Sequence, residues 1–291
     1  MLRTKQEEKN MTQYTLTAAH IAAYGCHLQQ EDRSVGTVEK YLRDVRGFFI
    51  WLDGTPVTQE KVIQWREHLL KENYAPVTVN SMLAALNGLF RFLGWTGCRA
   101  RFLKIQQRLF RNPEREMSRN DYIRLVETAQ CKKKERLALL MEAICATSIR
   151  VSEVKHLTVE AAKTGRAEIY LKGKIRTILI PRKLARKLLN YAKKNKTASG
   201  EIFLTGNGKP LSRRQIWAEM KALCKDAGVQ ATKVFPHNLR HLFATVFYKA
   251  CKDIARLADV LGHSSIETTR IYLLTSGEEH TRTLECLGLI L

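Results

Sequence analysis

The stretch FPHNLRHLFATVFY, residues 235–248, brings an imidazole and a guanidinium to the start of a helix. Pro236 suits the first helical position, which puts His237 in the first turn, where free backbone N–H groups favour an anion. Arg240 follows three residues on, at the edge of the apolar stripe of Leu239, Leu242, Phe243, Val246 and Phe247. Read alone, His237 is either an anion ligand or a cap, and Arg240 either a ligand or a snorkelling side chain. His237 and His241 have the spacing of a metal pair, but they diverge around the helix and no third ligand is near in sequence. A second cation, Arg150, emerges from the apolar run AICATSIRVSE with Glu153 three residues on. Either that carboxylate or a phosphate holds it, since an unpaired buried charge is costly. A hairpin tip supplies Lys172, with Lys174 and Arg176 behind it; there an ammonium can meet a base edge, bind phosphate or give up a proton. The stretch LGHSSIETTRIYL, residues 261–273, sets His263 in a corner and Tyr272 nine residues later. A tyrosine there is, on its own, a half-buried packing residue. Taken together, these groups can hold a phosphodiester between cations and offer a phenol as nucleophile. Two guanidinium forks can bind the nonbridging oxygens and stabilise a pentavalent transition state, so neither metal nor other cofactor is required. Attack by the phenol gives a covalent intermediate that keeps the bond energy of the broken strand.

The elements that must position these groups fall into two parts. From about residue 17 to 95 the pattern is helical throughout. SVGTVEKYLRDVRGFFIWL repeats apolar residues at offsets of three and four behind a Ser34 cap, and APVTVNSMLAALNGLFRFLGW does the same and closes at Gly94. With helices expected over 17–30 and 57–72, this is a four-helix domain. The basic stretch 99–117, with Arg99, Arg101, Lys104, Arg108, Arg111 and Arg115, reads as an interdomain linker that suits DNA phosphates as well as solvent. After a helix start at Ser118 come two helices, then AEIYLKGKIRTILIP, two β-rich runs joined through Gly173 and Lys174. Helices follow over 183–193, 212–227, 236–250, 252–261 and 265–274, where Gly262 ends one and Ser264–Glu267 matches a capping box for the next. The expected divisions are a flexible tail over 1–16, a four-helix domain over 17–98, the linker over 99–117, and a second, mainly helical domain with one small sheet over 118–291 that ends in a C-terminal tail.

Forty-nine Lys and Arg against 28 Asp and Glu leave a formal charge of +21 over 291 residues, which points to a large polyanion, first of all nucleic acid. No apolar run approaches the length of a membrane span, and the polar start MLRTKQEEKNMTQYT has no signal-peptide pattern, so an intracellular protein is expected. The seven cysteines are scattered without a C-x-x-C pair, which favours neither a disulfide framework nor a zinc module.

The ordered set ATSIRVSE, YLKGKIR, HNLRH, LGHSS and TTRIY resembles the motifs of the tyrosine recombinase (phage integrase) family, over about residues 118–272. The N-terminal helices are similar to that family's SAM-like core-binding domain. The resemblance implies a mainly α protein, with a four-helix SAM-like domain and an α+β catalytic domain carrying a small antiparallel sheet. Its function would be site-specific strand exchange on double-stranded DNA, cytoplasmic and nucleoid-associated in a bacterial host. By that likeness Tyr272 attacks the scissile phosphate to form a 3′-phosphotyrosyl link, Arg150 and Arg240 hold the phosphate, Lys172 protonates the leaving oxygen, and His237 and His263 assist proton transfer and phosphate binding. Lys174 is the alternative lysine. The family acts as a tetramer on two DNA sites, so SGEEHTRTLECLGLIL would dock onto a neighbouring subunit; an accessory DNA-bending protein is a further partner the likeness admits. Only about sixteen residues precede the first helix, as in the simpler two-domain members. The family commonly has glycine where Ser148 stands; if that position needs a positive φ, serine displaces Arg150 and lowers activity. Two other readings stand beside recombination: a DNA-binding accessory relative that does not cleave, and a type IB topoisomerase.

Overall fold

The computed structural model describes residues 13–106, 113–171, 174–263, 265–272, 281 and 285–287, and it divides into two compact units with the boundary between Gln107 and Arg108. No helix among the described residues is long and apolar enough to cross a membrane.

The first unit holds α1 (Ala18–Gln30), α2 (Val35–Leu52), α3 (Gln59–Lys71) and α4 (Pro76–Phe92). Thr17, Ser34 and Thr58 cap the first three with side-chain oxygens, and Pro76 opens the fourth. Their apolar faces enclose Val45, Phe48, Val62, Leu83 and Leu86. Tyr14, expected within the flexible stretch 1–16, is held in place: it exchanges two backbone hydrogen bonds with Val57, 3.1 and 2.7 Å, and stacks on Trp95, centroids 4.6 Å apart. The linker also begins later than Arg99. Asn87 exchanges two hydrogen bonds with the backbone of Ala100, and Asn80 does the same with Leu103, all between 2.8 and 3.0 Å. These amides hold residues 99–103 against α4, so the chain there belongs to the first unit. Arg99, Arg101 and Lys104 remain exposed, as does Arg115 in the second unit; Arg108 and Arg111 lie outside the described residues.

The second unit starts from a capping box between Ser118 and Asp121 that opens α5 (Arg119–Cys131), followed by α6 (Glu135–Thr147) and a 3-10 helix, Val151–His156. Then come α7 (Val159–Thr164), β1 (Arg166–Leu171) and β2 (Lys174–Leu179). The strands pair antiparallel from Arg166 opposite Leu179 to Leu171 opposite Lys174. That register puts Lys174 inside β2 rather than in the turn. Ala167, Ile169 and Ile178 face the core while Tyr170, Ile175 and Leu179 are exposed, the alternation that a half-buried ribbon requires. The remaining helices are α8 (Arg182–Lys194), α9 (Arg213–Lys221), α10 (Pro236–Cys251), α11 (Ile254–Leu261) and α12 (Glu267–Arg270). The helix expected to run to 227 stops at Lys221, where the chain passes into turns leading to Gly228, φ +61°. Fully buried Leu125, Leu140, Leu188 and Leu239 bind α5, α6, α8 and α10 into one core, and Leu257, Leu261, Ala244 and Tyr272 form a smaller cluster beside it. The segment expected to dock onto a neighbour lies, apart from residues 281 and 285–287, outside the described residues.

Candidate active site

Arg240 is the centre of the site. It is 2% exposed, and its guanidinium donates to the carbonyl of Ser148 and, at 2.7 Å, to that of Leu261. These oxygens sit at the C-terminal ends of α6 and α11, where helical carbonyls lack partners and the dipole favours a cation. Two helix ends thus replace the water that the guanidinium loses. A hydrogen bond with Tyr272 also favours the charged form, although burial and the Arg150 charge pull its pKa down from the ordinary arginine value.

Ser148 makes this arrangement possible. It ends α6 in the left-handed conformation, φ 55° and ψ 20°, fully buried, with its hydroxyl lacking a hydrogen-bond partner among the described residues. The position therefore takes the backbone shape that glycine adopts at least cost. Arg150 is nevertheless held two residues on: its Nη1 lies 2.8 Å from Glu153 Oε1, and its backbone N–H donates to Oε2 at 3.0 Å. The side chain is 38% exposed, so it reaches the surface beside the buried Arg240.

His263 is fixed by Gly262, whose φ of +62° closes α11, and by a bond from its backbone N–H to Ala258. Its Nε2 lies 3.1 Å from Arg240 Nη2, and its Nδ1 lies 2.9 Å from Thr269 Oγ1. A guanidinium can only donate, so Nε2 accepts and the proton resides on Nδ1, donated to Thr269. Burial, followed by the charges of Arg240, Arg150 and Arg176, pushes the His263 pKa down to about 4. His237 stands exposed in the first turn of α10; the cleft walls first, then Arg240 and Arg150, hold its pKa below the ordinary value. Both imidazoles are thus neutral bases at pH 7.

Tyr272 is 2% exposed, with its ring 4.6 Å from that of His241 and 6.1 Å from that of His263. His241 packs edge-on against His237 at 4.6 Å, so the pair with metal spacing is an aromatic contact. Among the described residues no group of three or more His, Cys, Asp or Glu is placed to hold a metal ion. Of the capping box expected at Ser264–Glu267, Ser264 lies outside the described residues, while Ser265 Oγ accepts from the Glu267 N–H at 3.2 Å.

The chain therefore gathers Arg150, His237, Arg240, His263 and Tyr272. Lys172 lies outside the described residues, and Lys174 is placed by its backbone alone. Arg176, expected to face DNA, is instead 12% exposed and paired with Glu153. Thr269, which fixes the His263 tautomer, was not legible as a site residue, nor was the cavity of about 690 Å³ beside Arg150 and His237. Its walls include Trp217, Phe235, Arg213 and Arg214. The signal for the last two was a pair of arginines directly after the Ser212 cap of α9.

Two family descriptions match. "Phage integrase family" covers residues 115–278, and "Phage integrase, N-terminal SAM-like domain" covers residues 21–97. The chain belongs to the phage integrase family. This integrase-family chain is 26% identical to the tyrosine recombinase XerA of Pyrococcus furiosus over 96% of its own length and 98% of that protein's. It is 29% identical to the tyrosine recombinase XerC of Roseiflexus castenholzii over 90% of each. Its fold is similar to that of a lambda integrase dimer bound to a COC′ core site, with a TM-score of 0.72 at 17% identity, over 90% of this chain and 77% of that one. As a tyrosine recombinase of this family, the chain is a DNA strand-breaking and rejoining enzyme of site-specific recombination.

Proposed function

We propose that Tyr272 is the nucleophile of this reaction and that Arg150, His237, Arg240 and His263 form the phosphate site around it. The observation that carries the reading is the convergence of two arginines, two imidazoles and one phenol from four separate chain segments. Arg150 and Arg240 take the nonbridging oxygens and the charge that develops on them. The phenolic oxygen bonds to phosphorus as the bond from phosphorus to the 5′-oxygen breaks, and a neutral imidazole receives the phenol proton. Lys172 supplies the proton of the free 5′-hydroxyl. The Tyr272 ring packs in an apolar cluster while its hydroxyl bonds with Arg240, which sets the phenol beside one of the two guanidinium groups that take the phosphate. The partner is double-stranded DNA, gripped by the first unit through residues 17–98 and followed by the basic stretch 99–117; the working form is a tetramer on two sites, with an accessory DNA-bending protein where the site needs one. Its test is covalent trapping in EDTA, with nicked fragments of the source genome and the Tyr272→Phe variant as control. Adduct from the parent alone supports the assignment; equal adduct from both removes Tyr272 from its role.

A further inference from the structure

Arg176 crosses three elements. From β2 its Nη1 reaches Glu153 Oε2 at 3.1 Å, and its Nη2 donates to the carbonyl of Val260 in the last turn of α11 at 3.2 Å. Its aliphatic part lies against Gly262: a Cβ built there would overlap Arg176 Cδ and come within 2.5 Å of its Nε. That Nε is buried and makes no hydrogen bond among the described residues. Burial, with Arg240 and Arg150 nearby, pushes the guanidinium down to about 10 although Glu153 opposes the shift. A charge in such surroundings is a poor device for stability, since buried ion pairs often exchange for apolar side chains without loss. Its geometry has another use. Glu153 is itself 5% exposed, and its two oxygens serve Arg150 and Arg176 together. With one guanidinium alone, this carboxylate would neutralise Arg150; shared between two, it orients Arg150 and leaves positive charge for an incoming anion.

We propose that Arg176 is a positioning residue for strand cleavage, acting through Glu153 to keep Arg150 aimed and charged toward the phosphate while tying β2 to the corner that presents His263. The inference rests on Arg150 as a phosphate ligand. Single-turnover adduct formation on nicked DNA tests it, alongside DNA affinity and thermal melting, for Arg176→Met, Arg176→Lys, Glu153→Gln and the double variant Glu153→Gln with Arg176→Met. Arg176→Met slows cleavage by about tenfold or more, with DNA affinity changed by less than about threefold and the melting temperature close to the parent's. Arg176→Lys, which keeps a charge on Glu153, recovers part of the rate and serves as the folded variant if the Met form does not fold. In the Glu153→Gln background the Met substitution changes the rate by less than about twofold, because its path of action is already gone. Parent-like cleavage by Arg176→Met, a loss that tracks affinity or melting, or an equal loss in the Glu153→Gln background would overturn the proposal. If the parent itself forms no adduct, the function proposed above fails, and orthovanadate binding decides the inference alone: several-fold weaker in Arg176→Met, with no such loss on top of Glu153→Gln.

Discussion

Ser148 holds a left-handed conformation that costs a non-glycine residue about 1 kcal/mol, and its buried hydroxyl finds no partner among the described residues. Ser148→Gly relieves both, so the melting temperature should rise by roughly 2–4 °C, with cleavage kept or increased; an unchanged or lower value contradicts the strain. Its neighbour across the site responds to pH. The folded chain holds the His263 pKa at about 4 against an ordinary 6.5, so it binds fewer protons than the unfolded chain between those values. The stability from neutral His263 is therefore complete above pH 6.5 and is lost as the pH falls toward 4. Melting temperatures measured across that window should fall less steeply for His263→Gln than for the parent; parallel curves would remove His263 as the source. The types and spacing of Arg150, His237, Arg240, His263 and Tyr272 were legible in the sequence. The burial of Arg240 was not, because its acceptors, the carbonyls of Ser148 and Leu261, lie 92 and 21 residues away. Arg176 misled for the same reason: one strand of sequence shows a cation behind a hairpin tip, not the carboxylate waiting beneath it.

Element by element, the helices follow their apolar phase, and the ends differ where a partner intervenes. Val246, placed on the buried stripe of α10 by its spacing, is 50% exposed, since the apolar face narrows around Leu239, Leu242 and Ala244. The clamps of Asn80 and Asn87 on residues 100 and 103 had no local signal, because a side-chain amide finds distant backbone only after the helices have packed. The approach of α1 and α4 gives a sharper test. A Cβ at Gly88 would strike the Tyr24 hydroxyl and lie 3.4 Å from its Cζ, while that hydroxyl donates to the Ala85 carbonyl at 3.4 Å. Gly88→Ala should cost about 1–3 kcal/mol of first-unit stability, read as earlier unfolding of that unit in limited proteolysis. Protection equal to the parent's would show that the contact yields without loss.

At the scale of the whole molecule, two compact units and a formal charge of +21 match a chain that works on a polyanion. Affinity for DNA should fall on the order of 10³-fold between 50 and 200 mM salt, the behaviour of several phosphate contacts that release counterions; a flat dependence would contradict the charge argument. The division into a helical first unit and a mixed second one was legible from periodicity and composition, whereas the place of residues 100–103 in the first unit rests on the amide clamps on α4. Strand cleavage and rejoining by this chain depend on one bond. The measurement that tests it is mass spectrometry of the trapped, nuclease-treated adduct after tryptic cleavage. A nucleotide remnant joined through phosphate to Tyr272, in the peptide spanning residues 271–282, is the expected result; a remnant on any other residue would contradict the assignment.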